Sequence, residues 1–334
     1  TVPTPIDVDK NPDLAPLTSA STLIGSILKK GDIVVYESTV FPGATEEICV
    51  PILEKESKLK FNEDFFCGYS PERINPGDKS RHLSEIVKIT SGSRADIADK
   101  IRDLYGEIIA AGTLPVSSIK VAEAAKIIEN IQRDLNIALV NEFAQIFNLL
   151  DIDTQEVIEA ASTKWNFVSY SPGLVGGHCI GVDPYYLVYK ARELGFEPSM
   201  IASGRSRNDT MFQYVVNRFI TALAGREIPV RGAKVLILGF SFKENCPDAR
   251  NTKVFDVVSE LRKRELIVDV FDPVADKKQI SHEYDIQLIE HLQRDFYDGV
   301  IIAVKHQTFK DMGMGKIRQM CRENHLIFDL KNCF

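Results

Sequence analysis

The 334 residues are enough for two or three domains, and a composition of 44% hydrophobic and 26% charged residues is ordinary for a globular protein. A net charge of -7 argues against a general nucleic-acid binder, although a local cluster of Lys and Arg could still hold the phosphates of a nucleotide. No apolar run approaches the ~20 residues that cross a bilayer, and the first residues lack the basic and apolar regions of a signal peptide. The six cysteines are scattered without metal-type spacing, which predicts free thiols in a reducing cytosol and no metal site.

Three regions of the chain differ in their pattern of apolar residues. Residues 1–107 and 216–334 show short apolar runs that alternate with helical patterns, which implies α/β domains with parallel sheets. Between them, residues 108–215 are predicted to be mainly helical, because Ile119–Leu150 contains neither Pro nor Gly and its apolar residues recur at helical spacing. The glycine-rich segment Ser171–Val182 is predicted to be a loop.

The individual elements follow from these patterns. The predicted strands are Asp32–Tyr36, Phe65–Tyr69, Ile86–Thr90, Lys234–Gly239, Ile267–Phe271, Gly299–Val304 and Leu326–Leu330. The predicted helices are Ala44–Glu56, Ala95–Gly106, Ile119–Leu150, Asp153–Ala161, Ser199–Leu223 and Thr252–Arg264.

Two polar residues on the long predicted helix are candidates for catalysis. Lys126 and Asn130 stand four residues apart and therefore share a face of that helix. Held among apolar neighbours, they could stabilise an oxyanion. Alternatively, the lysine stem could lie along apolar surface with its charge in water, and the asparagine could bond a neighbouring helix.

The segment Gly176–Pro184 contains a candidate nucleophile. Cys179 lies among glycines, which allow a backbone to approach a ligand closely, and it precedes Asp183 by four residues. This arrangement predicts a thiol nucleophile with a carboxylate that could position water. A buried cysteine in a tight turn is the alternative.

Further candidates follow predicted strands, where the loops of open α/β sheets form a ligand crevice. Glu72 and the segment Glu37–Thr39 could supply acid or base groups, or could be solvated turn residues. Gly239–Lys243 resembles a phosphate-binding turn, and Arg250 could bridge to an anion or cap a domain interface. No G-x-G-x-x-G turn followed by a helix occurs, so the glycine pattern alone does not indicate cofactor binding.

A series of segments, in order and from end to end of the chain, resembles the UDP-glucose/UDP-N-acetylhexosamine 6-dehydrogenases. The segments are VPTP, ESTVFPG, GYSPERINPG, EAAKIIENIQRDLNIALVNE, TKWNF, PGLVGGHCIGVDPYYL, GRSRND, LGFSFKENCPDARNTK and VFDP. PERINPG and PGLVGGHCIGVDPYYL are more similar to the branch that acts on UDP-N-acetylglucosamine or UDP-N-acetylgalactosamine than to the UDP-glucose enzymes.

The resemblance implies two Rossmann-like doubly wound domains joined by a long central helix, and an NAD-dependent, four-electron oxidation of a C6 hydroxyl to a uronic acid for surface polysaccharide biosynthesis. It divides the chain into the C-terminal part of the NAD-binding domain (1–107), a central region for dimerisation and the catalytic loop (108–215), and a UDP-sugar-binding domain (216–334). The implied partners are the UDP-sugar and a second copy of the chain, bound through the central helix, with neither nucleic acid nor membrane. A cytoplasmic location is expected.

The resemblance also implies roles for individual residues. Cys179 would form a hemithioacetal and then a thioester, which water would hydrolyse near Asp183 and Glu72. Lys126 and Asn130 would stabilise the oxyanions. The residues implied to bind substrate are Arg73, Lys164, Tyr170, Gly176, Gly177, Phe242 and Lys243, and those implied to bind cofactor are Pro3, Thr4, Ser38, Thr39 and Arg250.

Two features depart from the family pattern. The dinucleotide fingerprint of the family lies upstream of VPTP, so roughly ninety residues, about three βα units, are expected to be absent and NAD is expected to bind these 334 residues poorly. The second acidic residue of the UDP-glucose pattern is replaced by Pro76.

Two alternative functions remain open. One is the same chemistry on UDP-glucose or UDP-N-acetylmannosamine, and the other is a non-catalytic dimeric fragment that only binds UDP-sugar.

Overall fold

The protein is an α/β structure with two four-stranded sheets, which confirms the predicted fold class. The structure, a computed structural model, describes residues 1–74 and 82–334. None of the helices in these residues is long and apolar enough to cross a membrane.

The elements of the described residues are numbered in chain order. The helices are α1 (Ala15–Ile27), α2 (Val50–Ser57), α3 (Ala95–Gly106), α4 (Ile119–Leu149), α5 (Thr154–Ser162), α6 (Asp183–Glu193), α7 (Ser199–Gly225), α8 (Val254–Lys263), α9 (Lys277–Tyr284) and α10 (Gln307–Arg318). The strands are β1 (Ile33–Tyr36), β2 (Phe66–Tyr69), β3 (Lys88–Gly92), β4 (Thr113–Pro115), β5 (Lys234–Leu238), β6 (Ile267–Phe271), β7 (Tyr297–Ile302) and β8 (Cys321–Asp329). The predicted loop Ser171–Val182 is confirmed, since it contains neither helix nor strand.

The chain forms two compact units, and each contains one sheet. The first unit consists of Thr1–Arg133 and Val182–Ala202, and the second of Asp134–Gly181 and Ser203–Phe334. Helix α4 therefore contributes its first half to the first unit and its second half to the second unit. The division of the chain at residues 107 and 215 stays a prediction.

The sheet of the first unit has the order β1-β2-β3-β4 and is not wholly parallel. Strands β1 and β2 are parallel, as are β3 and β4, but β2 and β3 are antiparallel, with Tyr69 opposite Ser91. The prediction of a parallel sheet is therefore wrong for this pair. Parallel neighbours need a long crossover, usually a helix. In the described residues between β2 and β3 there is instead a single 3-10 turn at Leu83–Glu85.

The sheet of the second unit is fully parallel and is covered on both faces. Val235 and Ile237 of β5 pack into one hydrophobic cluster with α7 and α8, whereas Leu236 and Leu238 pack into another with α10. All four side chains are fully buried. A strand that is buried on both faces is expected to be continuously apolar, and this explains the sequence KVLIL.

The strand order β6-β5-β7-β8 places a topological switch point between β5 and β7. In such sheets ligands bind in the crevice beyond the carboxyl ends of the strands on either side of this point. Gly239, the first residue after β5, has a φ of 93° and lies so close to the segment after β7 that an added Cβ would be 2.5 Å from the Cβ of Val304. Glycine is therefore required where the loop after β5 meets the segment after β7.

A buried aspartate after β6 holds the loop that follows β5. Asp272 Oδ2 accepts hydrogen bonds from the backbone N–H groups of Phe240 (2.7 Å) and Ser241 (3.0 Å) and lies 3.1 Å from His306 Nε2. On its other side, His306 Nδ1 accepts a hydrogen bond from the backbone N–H of Asn245 at 2.9 Å. Both ends of the loop are thus tied to one carboxylate–imidazole pair.

This pair generates a prediction for stability. Burial by itself raises the pKa of Asp272, but the hydrogen bond from His306 and those from the backbone N–H groups of the loop outweigh burial and hold the pKa well below its usual range. Such a carboxylate stabilises the fold above its unfolded pKa, about 3.9, and the stabilisation is lost as pH falls through the folded value. We expect Asp272→Asn to lower the free energy of unfolding by about 3–5 kcal/mol at neutral pH, measured by urea denaturation. The difference in the free energy of unfolding between wild type and Asp272→Asn should become smaller below about pH 4.

Asp276→Asn is the matched control. Asp276 caps α9 and accepts hydrogen bonds from the backbone N–H groups of Lys278 (2.9 Å) and Gln279 (3.2 Å) at the surface. Because Asn caps helices about as well as Asp, its free energy of unfolding should stay within about 0.5 kcal/mol of wild type. Equal losses in the two variants, or a deficit of Asp272→Asn that does not shrink at all as the pH is lowered well below 4, would show that the buried pair is not responsible.

Candidate active site

In the first unit, Lys126, Asn130 and Asp183 form a buried polar cluster. Asn130 Nδ2 donates to Asp183 Oδ2 at 2.5 Å, and Lys126 Nζ lies 3.5 Å from the same oxygen. All three residues are at most 7% exposed. Burial raises the pKa of Asp183, and the pull of Lys126 and Asn130 in the other direction offsets this only in part. The prediction that Lys126 and Asn130 share a face of the helix is therefore confirmed. That face contacts Asp183, the first residue of α6.

A second cluster of the first unit lies where β1 and β2 end. Lys88, only 5% exposed, has its ammonium 3.1 Å from Glu37 Oε1 and 3.8 Å from Glu72 Oε2. Tyr105 donates to Glu37 at 2.6 Å. Burial raises the pKa of Glu37, but Tyr105 and Lys88 reverse this and lower it overall. The sequence analysis missed Lys88, although a lysine at the start of an otherwise buried strand was a usable signal.

Glu72 is a fixed acceptor rather than a mobile turn residue. Its Oε1 accepts from the backbone N–H groups of Arg73 and Ile74, each at 2.6 Å. Arg73 in turn pairs with Glu129 of α4 at 2.5 Å and donates to the carbonyl of Val87 at 3.2 Å. Pro76 lies outside the described residues.

The candidate cofactor residues of the first unit surround the end of β1. The Ser38 hydroxyl accepts from the Val2 N–H and donates to the Val2 carbonyl, each at 2.8 Å, so it is engaged within the protein. Pro3 is exposed, whereas Thr4 and Thr39 are half-buried. The roles of these residues toward the cofactor stay predictions. No G-x-G-x-x-G turn for the pyrophosphate occurs in these 334 residues.

In the second unit, the glycines before Cys179 allow its loop to pack against other backbone. Gly177 has a φ of 83°, and an added Cβ would be 2.8 Å from the ring of Phe242. A Cβ on Gly176 would be 2.7 Å from the carbonyl oxygen of Asn251, which also accepts from the Gly177 N–H at 3.2 Å. The structure therefore brings together three residues predicted to bind substrate, and it leaves Cys179 half-buried in the turn that follows them.

Charged groups flank Cys179 within the second unit. Asp248 pairs with Arg250 at 2.6 Å and lies 3.7 Å from Nδ1 of His178, the residue before Cys179. The pKa of Arg250 is raised, chiefly by its hydrogen bond to Asp248, and Cys179 acts in the same direction. Arg250 is therefore within electrostatic reach of the thiol.

Two lysines belong to the carboxyl edge of the second sheet. Lys243 is half-buried in the loop after β5, and its role toward the substrate stays a prediction. Lys331, which the sequence analysis missed, follows β8 and its ammonium would be 2.6 Å from a Cβ on Gly173. Burial lowers the pKa of Lys331, against the attraction of Glu244. Its position directly after the last predicted strand of a parallel sheet could have marked Lys331 as a candidate site residue in the sequence.

The remaining two predicted substrate residues precede the Cys179 loop. Lys164 is exposed just after α5, and Tyr170 is half-buried at the start of the segment that leads into the loop. The roles of both residues toward the substrate stay predictions.

Three parts of the chain match models of a known protein family. Residues 1–109, 120–210 and 236–334 match, respectively, the NAD binding domain, the central domain and the UDP binding domain of the UDP-glucose/GDP-mannose dehydrogenase family.

Individual relatives are similar over nearly the whole chain. The chain is 60% identical to a UDP-N-acetyl-D-glucosamine 6-dehydrogenase of Pseudomonas aeruginosa and 57% identical to one of Salmonella typhi. Each match covers 99% of this chain and 78% of the relative. Among solved structures, a UDP-D-ManNAc dehydrogenase from Pyrococcus horikoshii has a TM-score of 0.88 at 28% identity, over 100% of this chain and 77% of that one. The chain therefore belongs to the UDP-glucose/GDP-mannose dehydrogenase family.

Proposed function

We propose that the chain oxidises the C6 hydroxyl of UDP-N-acetylglucosamine to the carboxylate through a thioester on Cys179. The observation that carries the proposal is the glycine-lined turn of Cys179, packed against Phe242 of the loop after β5. The choice of sugar rests on the two relatives that are 57–60% identical and are named for this substrate.

A thiol explains how one enzyme can take an alcohol to an acid. NAD supplies the acceptor for each of the two hydrides. The first oxidation leaves an aldehyde at C6, to which the Cys179 thiolate adds to form a hemithioacetal. Loss of the second hydride gives a thioester, and water then releases the acid and restores the thiol. Arg250 carries a positive charge of the sign that favours the thiolate.

Lys126 and Asn130 have the donors for the oxyanions of this sequence. Each can donate to an alkoxide at C6, and such donors act strongly in a site that excludes water. Asp183 orients both side chains through its Oδ2. Its raised pKa also suits a group that exchanges a proton with the hydrolytic water.

Glu72 and Thr39 are further groups of the first unit that we propose for the chemistry. Glu72 is held in place by two backbone N–H groups and lies 3.8 Å from the ammonium of Lys88, which suits a carboxylate that positions the hydrolytic water. Thr39 would contact the nicotinamide end of the cofactor.

The second unit supplies the groups for the UDP moiety. Lys243 and Lys331 place two cationic side chains at the carboxyl edge of its sheet, where a diphosphate would be bound. Phe242, whose ring packs against Gly177, and the two glycines Gly176 and Gly177 are proposed to contact the substrate as well. Arg73, Lys164 and Tyr170 are further proposed substrate residues, whereas Pro3, Thr4, Ser38 and Arg250 are proposed for the cofactor.

The second half of α4 supports the proposed homodimer. Leu139, Phe143, Ile146 and Leu150 follow one stripe along the helix and are 40–61% exposed. Apolar surface of this kind is typical of a protein interface, and helical stripes pair well with a second copy of themselves. None of the six cysteines forms a disulfide in the structure, and a cytosolic location stays a prediction. A role in surface polysaccharide biosynthesis stays a prediction from the resemblance.

Cys179→Ser tests the proposed nucleophile. A serine hydroxyl ionises far less readily than a thiol at neutral pH, so the second oxidation should fail. In an enzyme with the complete NAD-binding domain, we expect wild type to form two NADH per UDP-N-acetylglucosamine consumed, and the variant to lose formation of the acid. NADH absorbance and chromatography of the product measure the two quantities.

A panel of sugar nucleotides, measured with the wild type, tests the proposed substrate separately from the nucleophile. UDP-N-acetylgalactosamine, UDP-glucose and UDP-N-acetylmannosamine should be turned over with lower kcat/KM than UDP-N-acetylglucosamine. Full acid production by Cys179→Ser would overturn the thioester, whereas a preference for another sugar would overturn only the substrate.

Lys126→Met tests the proposed oxyanion donor. It keeps the apolar stem but removes the ammonium, and loss of one such donor typically costs about 10²–10³-fold in kcat. We expect that loss with a much smaller change in KM for the sugar nucleotide. Lys120→Met is the control, since Lys120 is an exposed lysine of the same helix, paired with Glu47, and its loss should leave kcat unchanged. An unchanged kcat in Lys126→Met with a raised KM would mean that Lys126 only binds substrate.

The double variant Leu139→Asp, Phe143→Asp tests the dimer. Two charges in an apolar interface should convert a dimer into monomers, as measured by sedimentation velocity. Glu142→Ala, on the neighbouring exposed side of α4, should leave the mass unchanged. A monomeric wild type, or a double variant that remains dimeric, would contradict the proposed interface.

A further inference from the structure

We infer that Asn141 and Arg205 are positioning residues for Cys179, because they anchor the two ends of its loop on one buried hydrogen-bonded network. The inference rests on the proposed role of Cys179 as nucleophile. All the groups involved lie within the second unit.

The first anchor is at Gly173, where the loop begins. Asn141 is fully buried on α4, and its Oδ1 accepts from the Gly173 N–H at 2.7 Å. Its Nδ2 donates to the carbonyl of the same residue at 3.0 Å. Two hydrogen bonds from one planar amide fix the position and the orientation of the Gly173 backbone.

The second anchor is at Ile180, directly after Cys179. Arg205 is 1% exposed on α7, and its Nη1 donates to Asp134 Oδ1 at 2.5 Å and to the Ile180 carbonyl at 3.3 Å. The pairing with Asp134 neutralises the guanidinium and holds it in place. The nucleophile is therefore one residue from a carbonyl that is bonded to a fixed side chain.

Asn208 joins the two anchors into one network. Its Nδ2 donates to the carbonyl and to Oδ1 of Asp134, at 2.9 and 2.8 Å, and its Oδ1 accepts from Asn141 Nδ2 at 2.8 Å. The network thus runs from Gly173 through Asn141, Asn208, Asp134 and Arg205 to Ile180. A displacement at either anchor is transmitted to the same buried groups.

The loop needs this support because it has no regular structure between the anchors. Gly177, bonded through its N–H to the Asn251 carbonyl, adds one further backbone contact. A misplacement of about 1 Å in a reacting group can cost about 10²-fold in rate. A network that only joined α4 to α7 would not need to reach the peptides on either side of Cys179.

Asn141→Ala tests the inference with readouts that stability alone would not change. We expect kcat to fall about 10²-fold while KM for the sugar nucleotide changes less than about threefold. The rate of alkylation of Cys179 by iodoacetamide at a fixed pH, followed by peptide mapping, should rise. The reason is that a loop no longer held by Asn141 exposes a thiol that is half-buried in wild type.

Gln145→Ala is the matched control. Gln145 lies one turn further along α4 and contacts Met211 and Arg207 of α7, at 3.7 and 3.3 Å, but none of its hydrogen bonds in the described residues reaches the loop. We expect its kcat and its alkylation rate to equal those of wild type, even where its thermal unfolding midpoint is lowered.

Arg205→Lys keeps the inference testable where Asn141→Ala does not fold. It retains a positive charge beside Asp134 but loses the planar arm that reaches Ile180. We expect kcat to fall and the alkylation of Cys179 to change in the same direction as in Asn141→Ala, but to a smaller extent. Wild-type kcat and alkylation in both variants, with only a lowered unfolding midpoint, would overturn the positioning role. Full activity of Cys179→Ser would instead overturn the proposed nucleophile, so the two failures are distinguishable.

Discussion

The buried polar side chains of α4 each need a partner, and meeting that need determines what packs against this helix. Five of them follow one face of the helix, each at most 7% exposed: Glu123, Lys126, Asn130, Asp134 and Asn141. A charge left buried without a partner costs about 3–5 kcal/mol, comparable to the whole stability of a small domain. Segments distant in sequence are consequently fixed to the helix by hydrogen bonds rather than by apolar contact alone.

The partners of this polar face are the functional segments of the two units. In the first unit, Glu123 accepts from the backbone N–H groups of Gly43 (2.6 Å) and Thr45 (3.0 Å), which orders the chain after β1. In the second unit, Asn141 binds the start of the Cys179 loop. An apolar helix face would pack with many neighbours about equally well, whereas this one accepts only segments with matching donors and acceptors.

The sequence predicted the elements better than their partners. Helix α4 was placed to within one residue because a long stretch without Pro or Gly leaves few alternatives. The antiparallel pairing of β2 and β3 was missed because a strand pattern contains no information about the direction of its neighbour. Lys88 and Lys331 were missed because a lone lysine is usually solvated, and only the folded chain shows which carboxylate or loop surrounds it. Cys179, Lys126 and Asn130 were singled out from spacing and glycine content, while their proposed roles came from the resemblance.

The environments of the six thiols have a consequence for how the protein meets oxidants and electrophiles. Burial raises the pKa of Cys49 and of Cys321 to about 11 and that of Cys67 further, which leaves these side chains in the unreactive protonated form. Cys246 is also buried, so the half-buried thiols are Cys179 and Cys333. Peroxide or a covalent inhibitor would therefore reach the proposed nucleophile long before it reached the core. Inactivation by peroxide would leave a folded protein that a thiol reductant can restore, as long as the sulfur has not passed beyond the sulfenic acid.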